Sequence, residues 1–277
     1  MIVFPNCKIN LGLNIIAKRT DGYHDLETVF YPLQIKDALE IIEGSNAQQA
    51  VPNIQYSMSG LQIDCDIESN LCVKAYQLLK KDFAGLPVVN MHLHKAIPTG
   101  AGLGGGSANG AFTLKLLNKK FDLGLTDQEL ISYALQLGSD CPFFIVNKSC
   151  FGTGRGENLE PITIDLTGYK LMIVHPGIHI NTGLAFSGIQ PLKPSKSIKT
   201  IIQQPVVSWK EELKNDFEAP IFSQYPELKM IKDSLYDHGA VYASMTGSGS
   251  AVYGIFGKDT AITLSFPKNY FVKISLS

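Results

Sequence analysis

Residues 98–111 read PTGAGLGGGSANGA, and six of these fourteen residues are glycine. Glycine loses more backbone freedom on folding than any other residue, so this run indicates a loop whose backbone approaches something closely. Apolar residues with helical spacing follow, among them Leu114 and Leu117. We expect this helix to open at Ser107, so that its first N–H groups and positive dipole end face the loop. Such an arrangement suits an anion, and phosphate best.

The residues around the glycine stretch argue against three other kinds of nucleotide-binding loop. Its letters satisfy the dinucleotide fingerprint GxGxxG, but Pro98 separates the loop from a strand with one polar face, and a second helix follows where the fingerprint requires a strand. No lysine follows the glycines, which excludes a Walker loop, and the VAIK, HRD and DFG motifs of protein kinases are absent from the sequence. A loop of purely structural role remains open on local grounds.

Composition narrows the class of protein. The 277 residues are 45% hydrophobic and 18% charged, with a net charge of -1 and no long basic run, so we expect no nucleic-acid partner. Five cysteines without a CxxC pair indicate a reducing compartment. No apolar stretch approaches the roughly 20 residues of a membrane span, and the start lacks a signal-peptide profile. We therefore expect a cytoplasmic protein with no membrane or obligate protein partner.

The hydrophobic pattern predicts an α+β fold. Strands are predicted at residues 7–16, 28–35, 37–42, 54–59, 88–97, 141–146 and 170–176, with two more inside 241–256. Helices are predicted at residues 69–82 with Ser69 as N-cap, after the glycine stretch, from the capping box at Thr126 to Gly138, and over 209–237, whereas 190–206 has a loop-like composition. This order lacks strict strand–helix alternation, so we expect a mostly antiparallel arrangement in two lobes.

We place the division between the lobes near GRGENLEPI, residues 154–162. The predicted domains are an N-terminal lobe, residues 1–157, and a C-terminal lobe, residues 158–277.

Several polar residues have ordinary structural explanations when each is taken alone. Lys8 and Asn10 would lie on the solvated face of the first strand, and Asp140 would be a turn or cap residue. The spacing of His92 and His94 could hold a metal, but no third ligand is near, which favours an exposed strand face. HExxH and GxSxG are both absent, so the sequence supports neither a zinc protease nor a hydrolase elbow.

Three stretches in order resemble the motifs of the GHMP kinases. They are PNCKINLGLNII (5–16), PTGAGLGGGSANGA (98–111) and MTGSGSAVYGIF (245–256). TDGYHDLETVFYPL (20–33) and LGSDCPFFI (137–145) resemble the branch that acts on a cytidine diphosphate sugar alcohol. The resemblance implies the two-lobed GHMP kinase fold, with an N-terminal lobe like the second domain of ribosomal protein S5 and a ferredoxin-like C-terminal lobe. It makes residues 1–157 the ATP-binding and catalytic lobe and residues 158–277 the substrate-side lobe.

The resemblance also implies a reaction, the transfer of the γ-phosphoryl group of ATP to a tertiary hydroxyl of the sugar alcohol. Asp140 would be the general base, and Lys8 would keep its carboxylate ionised and ease loss of the alcohol proton. Backbone N–H groups of one continuous segment would hold the triphosphate. Its residues are Pro98, Thr99, Gly100, Ala101, Gly102, Leu103, Gly104, Gly105, Gly106, Ser107 and Ala108.

Magnesium should bridge the phosphates, with Ser107 as a candidate ligand, whereas Ala108 stands where the family often has a second serine. The resemblance assigns cytosine binding to Tyr23, His24 and Phe186, because aromatic faces suit a flat polar base. It assigns weaker substrate contacts to Asn10, Lys95 and Thr182, and prolines typical of the family are missing beside Thr182. Another GHMP kinase with a different alcohol, or a non-catalytic protein of the same fold, are the alternatives.

Overall fold

The computed structural model describes residues 1–44, 53–62 and 66–276. The strands in these ranges are β1 (Ile2–Val3), β2 (Asn6–Lys18), β3 (His24–Lys36), β4 (Ala38–Glu43), β5 (Ile54–Gly60), β6 (Val89–Lys95), β7 (Cys150–Gly154), β8 (Asn158–Pro161), β9 (Tyr169–His175), β10 (Tyr242–Met245), β11 (Val252–Gly257) and β12 (Phe271–Leu276). The helices are α1 (Leu71–Asp82), α2 (Gly105–Lys120), α3 (Asp127–Leu137), α4 (Cys141–Val146), α5 (Thr182–Ser187), α6 (Ile198–Ile201), α7 (Trp209–Glu212), α8 (Glu218–Gln224) and α9 (Pro226–Asp237).

Backbone contacts divide the chain into two compact units. Unit 1 comprises Met1–Cys7, Ile35–Thr99 and Gly104–Lys148, and unit 2 comprises Lys8–Gln34, Gly100–Leu103 and Ser149–Ser277. This division differs from the one placed at residues 157 and 158, which cuts the chain once. The units interleave along the sequence because β3 pairs with β7, so an early hairpin shares a sheet with strands that follow residue 149. The sequential division stays a prediction.

Unit 1 contains a sheet of order β1-β4-β6-β5, in which β4 runs antiparallel and β5 parallel to β6. Alternate residues of β6, namely Val89, Met91 and Leu93, are buried, which confirms the alternation predicted for this strand. Helix α2 contacts α1, α3 and α4. The capping box predicted at Thr126 is present and opens α3, which ends before Gly138 as expected.

Unit 2 contains sheets of order β2-β3-β7-β8 and β10-β11-β9-β12. Leu228, Ile231 and Leu235 of α9, at helical spacing, are buried in one apolar cluster with Val252 and Phe256 of β11. The pairs β3–β7, β7–β8, β9–β11, β9–β12 and β10–β11 are all antiparallel. The expected α+β class with mostly antiparallel pairing is thus confirmed. No helix of the described ranges is long and apolar enough to cross a membrane.

Four predicted elements need correction. Residues 141–146, CPFFIV, form helix α4 rather than a strand, because Pro142 lies in the first turn, where a helix needs no N–H donor. Helix α1 begins at Leu71 with Asn70 as its cap, and not with Ser69. Helix α2 begins at Gly105, two residues before the expected Ser107. The loop-like stretch 190–206 contains the short helix α6, which Ser197 caps.

Candidate active site

Helix α2 begins without a side-chain cap. Its N-cap residue, Gly104, has φ 69 and ψ 15, the left-handed conformation that favours glycine. Because glycine has no side chain to accept from the helix, the first N–H groups are left to water or a ligand. Ser107 is half-buried in the first turn of the helix. This uncapped helix start lies in unit 1 and suits an anion.

The earlier half of the glycine stretch, Gly100–Leu103, lies in unit 2. Gly102 has φ 78, and a Cβ there would lie 2.0 Å from the carbonyl oxygen of Thr246, so only glycine fits. The Ala251 N–H donates to the Ala101 carbonyl at 3.0 Å. The backbone of the third motif is therefore packed directly on the backbone of the second.

Lys8 and Asn10 are buried, so the prediction that they lie on a solvated strand face is wrong. Lys8 is only 3% exposed. The Lys8 Nζ donates to Asn10 Oδ1 at 2.7 Å and to the Gly102 carbonyl at 2.9 Å. The Thr246 hydroxyl accepts the Asn10 N–H at 3.0 Å and lies 3.2 Å from both Asn10 Oδ1 and the Gly102 oxygen. Unit 2 thus brings together residues of all three motifs.

Asp140 lies in unit 1, at the N-cap position of α4. Its side chain makes no capping hydrogen bond within that described helix, so the cap role suggested by its sequence context does not account for the aspartate. The residue is partly exposed. Lys8 and Asp140 belong to different units, and their predicted cooperation stays a prediction.

The aromatic residues assigned to the base lie in unit 2. The rings of His24 and Phe186 stack directly, with centroids 4.7 Å apart and planes 14° apart, and Phe217 packs edge-on against Phe186. A base placed between His24 and Phe186 would have to displace one of these rings. Tyr23 is 54% exposed, and the guanidinium of Arg155 lies 4.9 Å from its ring centroid. Sequence reasoning missed Arg155.

Lys95 lies in the interior of unit 1. Its ammonium forms a very short ion pair with Asp37, both side chains being fully buried, and it donates to Asn109 Oδ1 at 3.0 Å. Asp37 Oδ1 also accepts the N–H groups of Ala96 and Ile97 at 2.7 and 2.9 Å. Sequence reasoning missed Asp37 and Asn109. The sequence did indicate that Lys95 is buried, because it lies two residues after Leu93 and so on the same face of β6 as the buried apolar residues.

Thr182 is the first residue of α5, and Asn181 caps the helix by accepting the Leu184 N–H at 3.1 Å. The Thr182 hydroxyl lies 3.3 Å from that of Ser248, in the glycine turn of the third motif. A helix therefore forms at this position without the prolines expected beside it.

The histidines of β6 are engaged by serines of β5. His92 lies within hydrogen-bond distance of Ser57 and Ser59, at 2.8 and 2.9 Å, and His94 lies 3.0 Å from Ser59. Across residues 1–44, 53–62 and 66–276, no group of three or more His, Cys, Asp or Glu side chains is placed to hold a metal ion.

Comparison with known proteins is consistent along nearly the whole chain. The GHMP kinases N terminal domain matches residues 70–148, and the GHMP kinases C terminal domain matches residues 197–265. A protein of Bacteroides fragilis (strain YCH46), named 4-diphosphocytidyl-2-C-methyl-D-erythritol kinase, is 52% identical over 263 residues, which cover 95% of this chain and 94% of that protein.

Solved structures agree in fold. A crystal structure of 4-(cytidine 5'-diphospho)-2C-methyl-D-erythritol kinase matches with a TM-score of 0.82 and 26% identity, covering 100% of both chains. The mevalonate kinase of Methanococcus jannaschii matches with a TM-score of 0.69 at 14% identity, covering 94% of this chain and 92% of that one. The second match is a likeness of fold alone.

Proposed function

The chain belongs to the GHMP kinase family, with relatives named 4-diphosphocytidyl-2-C-methyl-D-erythritol kinase, and we propose that it uses ATP to phosphorylate the tertiary 2-hydroxyl of that sugar alcohol. This step belongs to the non-mevalonate route to isoprenoid precursors. The observation that carries the proposal is the arrangement in unit 2, where buried Lys8 is bonded to Asn10 and to the backbone of Gly102. The geometry suits a kinase because a fixed ammonium and a glycine-rich backbone segment both serve phosphoryl transfer.

The segment from Pro98 to Ala108 is proposed to bind the phosphates of ATP. The uncapped start of α2 and the left-handed glycines support this role, since N–H groups of such a segment point at an anion. Bound Mg²⁺ would supply charge neutralisation on the phosphates. The Ser107 hydroxyl in the first turn of α2 is the candidate protein ligand of this ion, beside the phosphate oxygens.

Asp140 is proposed to accept the proton of the substrate hydroxyl, and Lys8 to favour the ionised form of that carboxylate. The stretch LGSDCPFFI around Asp140 supports this role, because it resembles the corresponding motif of the family. Both residues being present also weighs against the non-catalytic alternative.

Tyr23, His24 and Phe186 are proposed to hold the cytosine, with Asn10, Lys95 and Thr182 as further substrate contacts. The exposed Tyr23 ring offers a flat face for stacking, which supports base binding, whereas His24 and Phe186 would have to separate before a base could lie between them. For Lys95 the contact would have to be indirect or follow a rearrangement, because its ammonium is already bonded to Asp37 and Asn109.

The cytoplasm is the proposed location. Four cysteines of the described residues, Cys7, Cys72, Cys141 and Cys150, are free and buried, which suits a reducing compartment, and Cys65 lies outside the described residues.

An ATP-consumption assay tests the proposed function. It compares the diphosphocytidyl-methylerythritol substrate with mevalonate, homoserine and galactose at equal concentrations. We expect turnover with the cytidine compound alone. Turnover with another alcohol and none with the cytidine compound would favour a different GHMP kinase, and no turnover with any alcohol would favour a binding protein of this fold.

A further inference from the structure

The two arginines of the chain lie in two separate turns of unit 2. Of 24 basic residues only Arg19 and Arg155 are arginine. Arg19 forms ion pairs with Asp21 at 3.0 Å and with Asp25 at 2.9 Å, and thereby braces the turn between β2 and β3. Arg155, from the turn between β7 and β8, lays its guanidinium over the Tyr23 ring. The planar, permanently charged guanidinium is the cationic group best suited to stack on an aromatic face.

The conformation of Arg155 is restricted by its neighbours in the turn between β7 and β8. Gly154 and Gly156 on either side of it adopt φ values of 70 and 103, which fold the backbone tightly. Glu157 accepts the Arg155 backbone N–H at 2.5 Å, and its other oxygen lies 3.4 Å from Arg155 Nε. The Glu157 carboxylate therefore restricts the rotamers of the Arg155 side chain, whose guanidinium contacts the Tyr23 ring.

Tyr23 needs such a contact because the turn fixes its backbone but not its ring. Its N–H donates to Asp21 Oδ1 at 3.1 Å, and its carbonyl accepts the Arg19 N–H at 2.8 Å. The side chain itself projects into solvent, where an isolated ring samples several rotamers. A cation over one face restricts that sampling and leaves the other face available for stacking.

Local charge decides between two roles for Arg155. The carboxylates of Asp21, Asp25 and Glu157 outnumber the two guanidinium groups around the turn, so the surroundings do not attract a diphosphate. Building on the proposed function, we propose that Arg155 is a positioning residue that holds the Tyr23 ring in the orientation that stacks on the cytosine base. The base recognised by this device is a pyrimidine of a nucleoside diphosphate.

Calorimetric binding of cytidine and of cytidine 5'-diphosphate to the full-length protein tests this inference. Arg155→Met should weaken both ligands by the same factor, about two- to fivefold for an exposed cation–aromatic contact. In a Tyr23→Ala background the same substitution should have no further effect, because the two residues act as one unit. Arg155→Lys keeps a cation over the ring and should restore part of the affinity.

Lys210→Met is the matched control, since Lys210 lies 4.7 Å from the ring centroid of Tyr236 in the same unit, and it should leave both affinities unchanged. Unchanged binding in Arg155→Met overturns the inference. So does weakening of the diphosphate alone, which would make Arg155 a diphosphate ligand, or a loss that persists in Tyr23→Ala. Any of these three results with normal turnover of the cytidine substrate leaves the proposed function standing, whereas wild-type protein that binds neither ligand overturns both the inference and the proposed function.

Discussion

The Thr246 hydroxyl is where the three sequence motifs meet inside unit 2. It accepts the Asn10 N–H and lies within hydrogen-bond distance of Asn10 Oδ1 and the Gly102 carbonyl, all in a fully buried position. Such a group holds several backbone segments at once, and the cost of leaving its partners unsatisfied exceeds the value of one hydrogen bond. Residue-scale changes here should therefore reach both stability and catalysis.

Thr246→Val keeps the shape and removes the hydroxyl. We expect the free energy of unfolding to fall by about 1–3 kcal/mol, because the Asn10 N–H loses its acceptor in a buried site. Urea unfolding measures the change. Thr113→Val is the control, since the Thr113 hydroxyl donates to a carbonyl of its own helix, that of Asn109, and joins no other motif. Equal losses in the two variants would contradict a special role for Thr246.

His175 predicts a pH dependence of stability. Its Nδ1 lies 3.0 Å from the Ser250 hydroxyl, which itself donates to the Ile178 carbonyl, so Nδ1 carries the proton and donates to Ser250. Burial lowers the pKa of the His175 imidazole. The unfolded chain therefore binds a proton more readily than the folded protein, and stability falls as the pH drops below the unfolded value of about 6.5.

His175→Asn should flatten the decrease in stability between about pH 7 and pH 5, measured by urea unfolding at each pH. His238→Asn is the control, because His238 is exposed at the end of α9. A wild-type slope in His175→Asn would show that this imidazole does not titrate differently on unfolding.

The role of the glycine loop depends on the backbone conformation of its glycines and on how closely they pack. Gly102 and Gly124 have similar φ values, 78 and 73, but a Cβ at Gly102 meets the Thr246 oxygen, whereas nothing lies within 4 Å at Gly124. Gly124→Ala should cost about 1–2 kcal/mol from its left-handed backbone alone.

Gly102→Ala should cost more, because the backbone of the third motif must move. We also expect it to raise the KM for ATP by about tenfold or more, since small displacements of positioning groups are costly in catalysis. Steady-state kinetics with ATP as the varied substrate measure this change. Equal KM values for the two alanine variants would contradict packing of the glycine loop on the third motif.

Helix α3 depends on its capping box. The Glu129 N–H donates to the Thr126 hydroxyl, while the Thr126 N–H donates to the Glu129 carboxylate at 2.8 Å and lowers its pKa. Thr126→Ala should reduce the free energy of unfolding by about 0.5–2 kcal/mol and leave turnover unchanged. Ser132→Ala, on the exposed face of the same helix, serves as the control in the same unfolding measurement. A stability equal to the wild type would mean that the box adds nothing.

At the scale of the whole molecule, periodic patterns predicted most elements correctly. The alternation of β6, the capping box of α3 and the strand–turn–strand of the third motif all concern neighbours along the chain. The strand predicted at CPFFIV was wrong because the periodicity of a short apolar run cannot distinguish a buried helix from a buried strand. Local pattern is therefore sufficient only where the structure is local.

The candidate site was predicted through resemblance, and its long-range contacts were not. Lys8 looked solvated because alternation cannot show that both faces of β2 are covered. Arg155 reaches Tyr23 from a turn more than a hundred residues away, and Asp37 reaches Asn109 across unit 1, so no sequence spacing indicates either contact. The interleaved units have the same cause, since strand pairing joins segments that are distant in the chain.

We propose that Asp140 is the base that accepts the proton of the sugar alcohol in this reaction. Asp140→Asn should lower kcat by about 10²–10⁴-fold while ATP binding stays nearly intact, because proton transfer is lost and the phosphate site is not. Asp259→Asn, an exposed aspartate of unit 2, is the control and should keep wild-type turnover.

The most direct measurement is ³¹P NMR of the reaction of ATP with 4-diphosphocytidyl-2-C-methyl-D-erythritol. We predict ADP and one new phosphomonoester signal, with the diphosphate of the substrate intact, and loss of that signal over the same time in Asp140→Asn. Consumption of ATP without a phosphomonoester, or an undiminished signal in Asp140→Asn, would contradict the account.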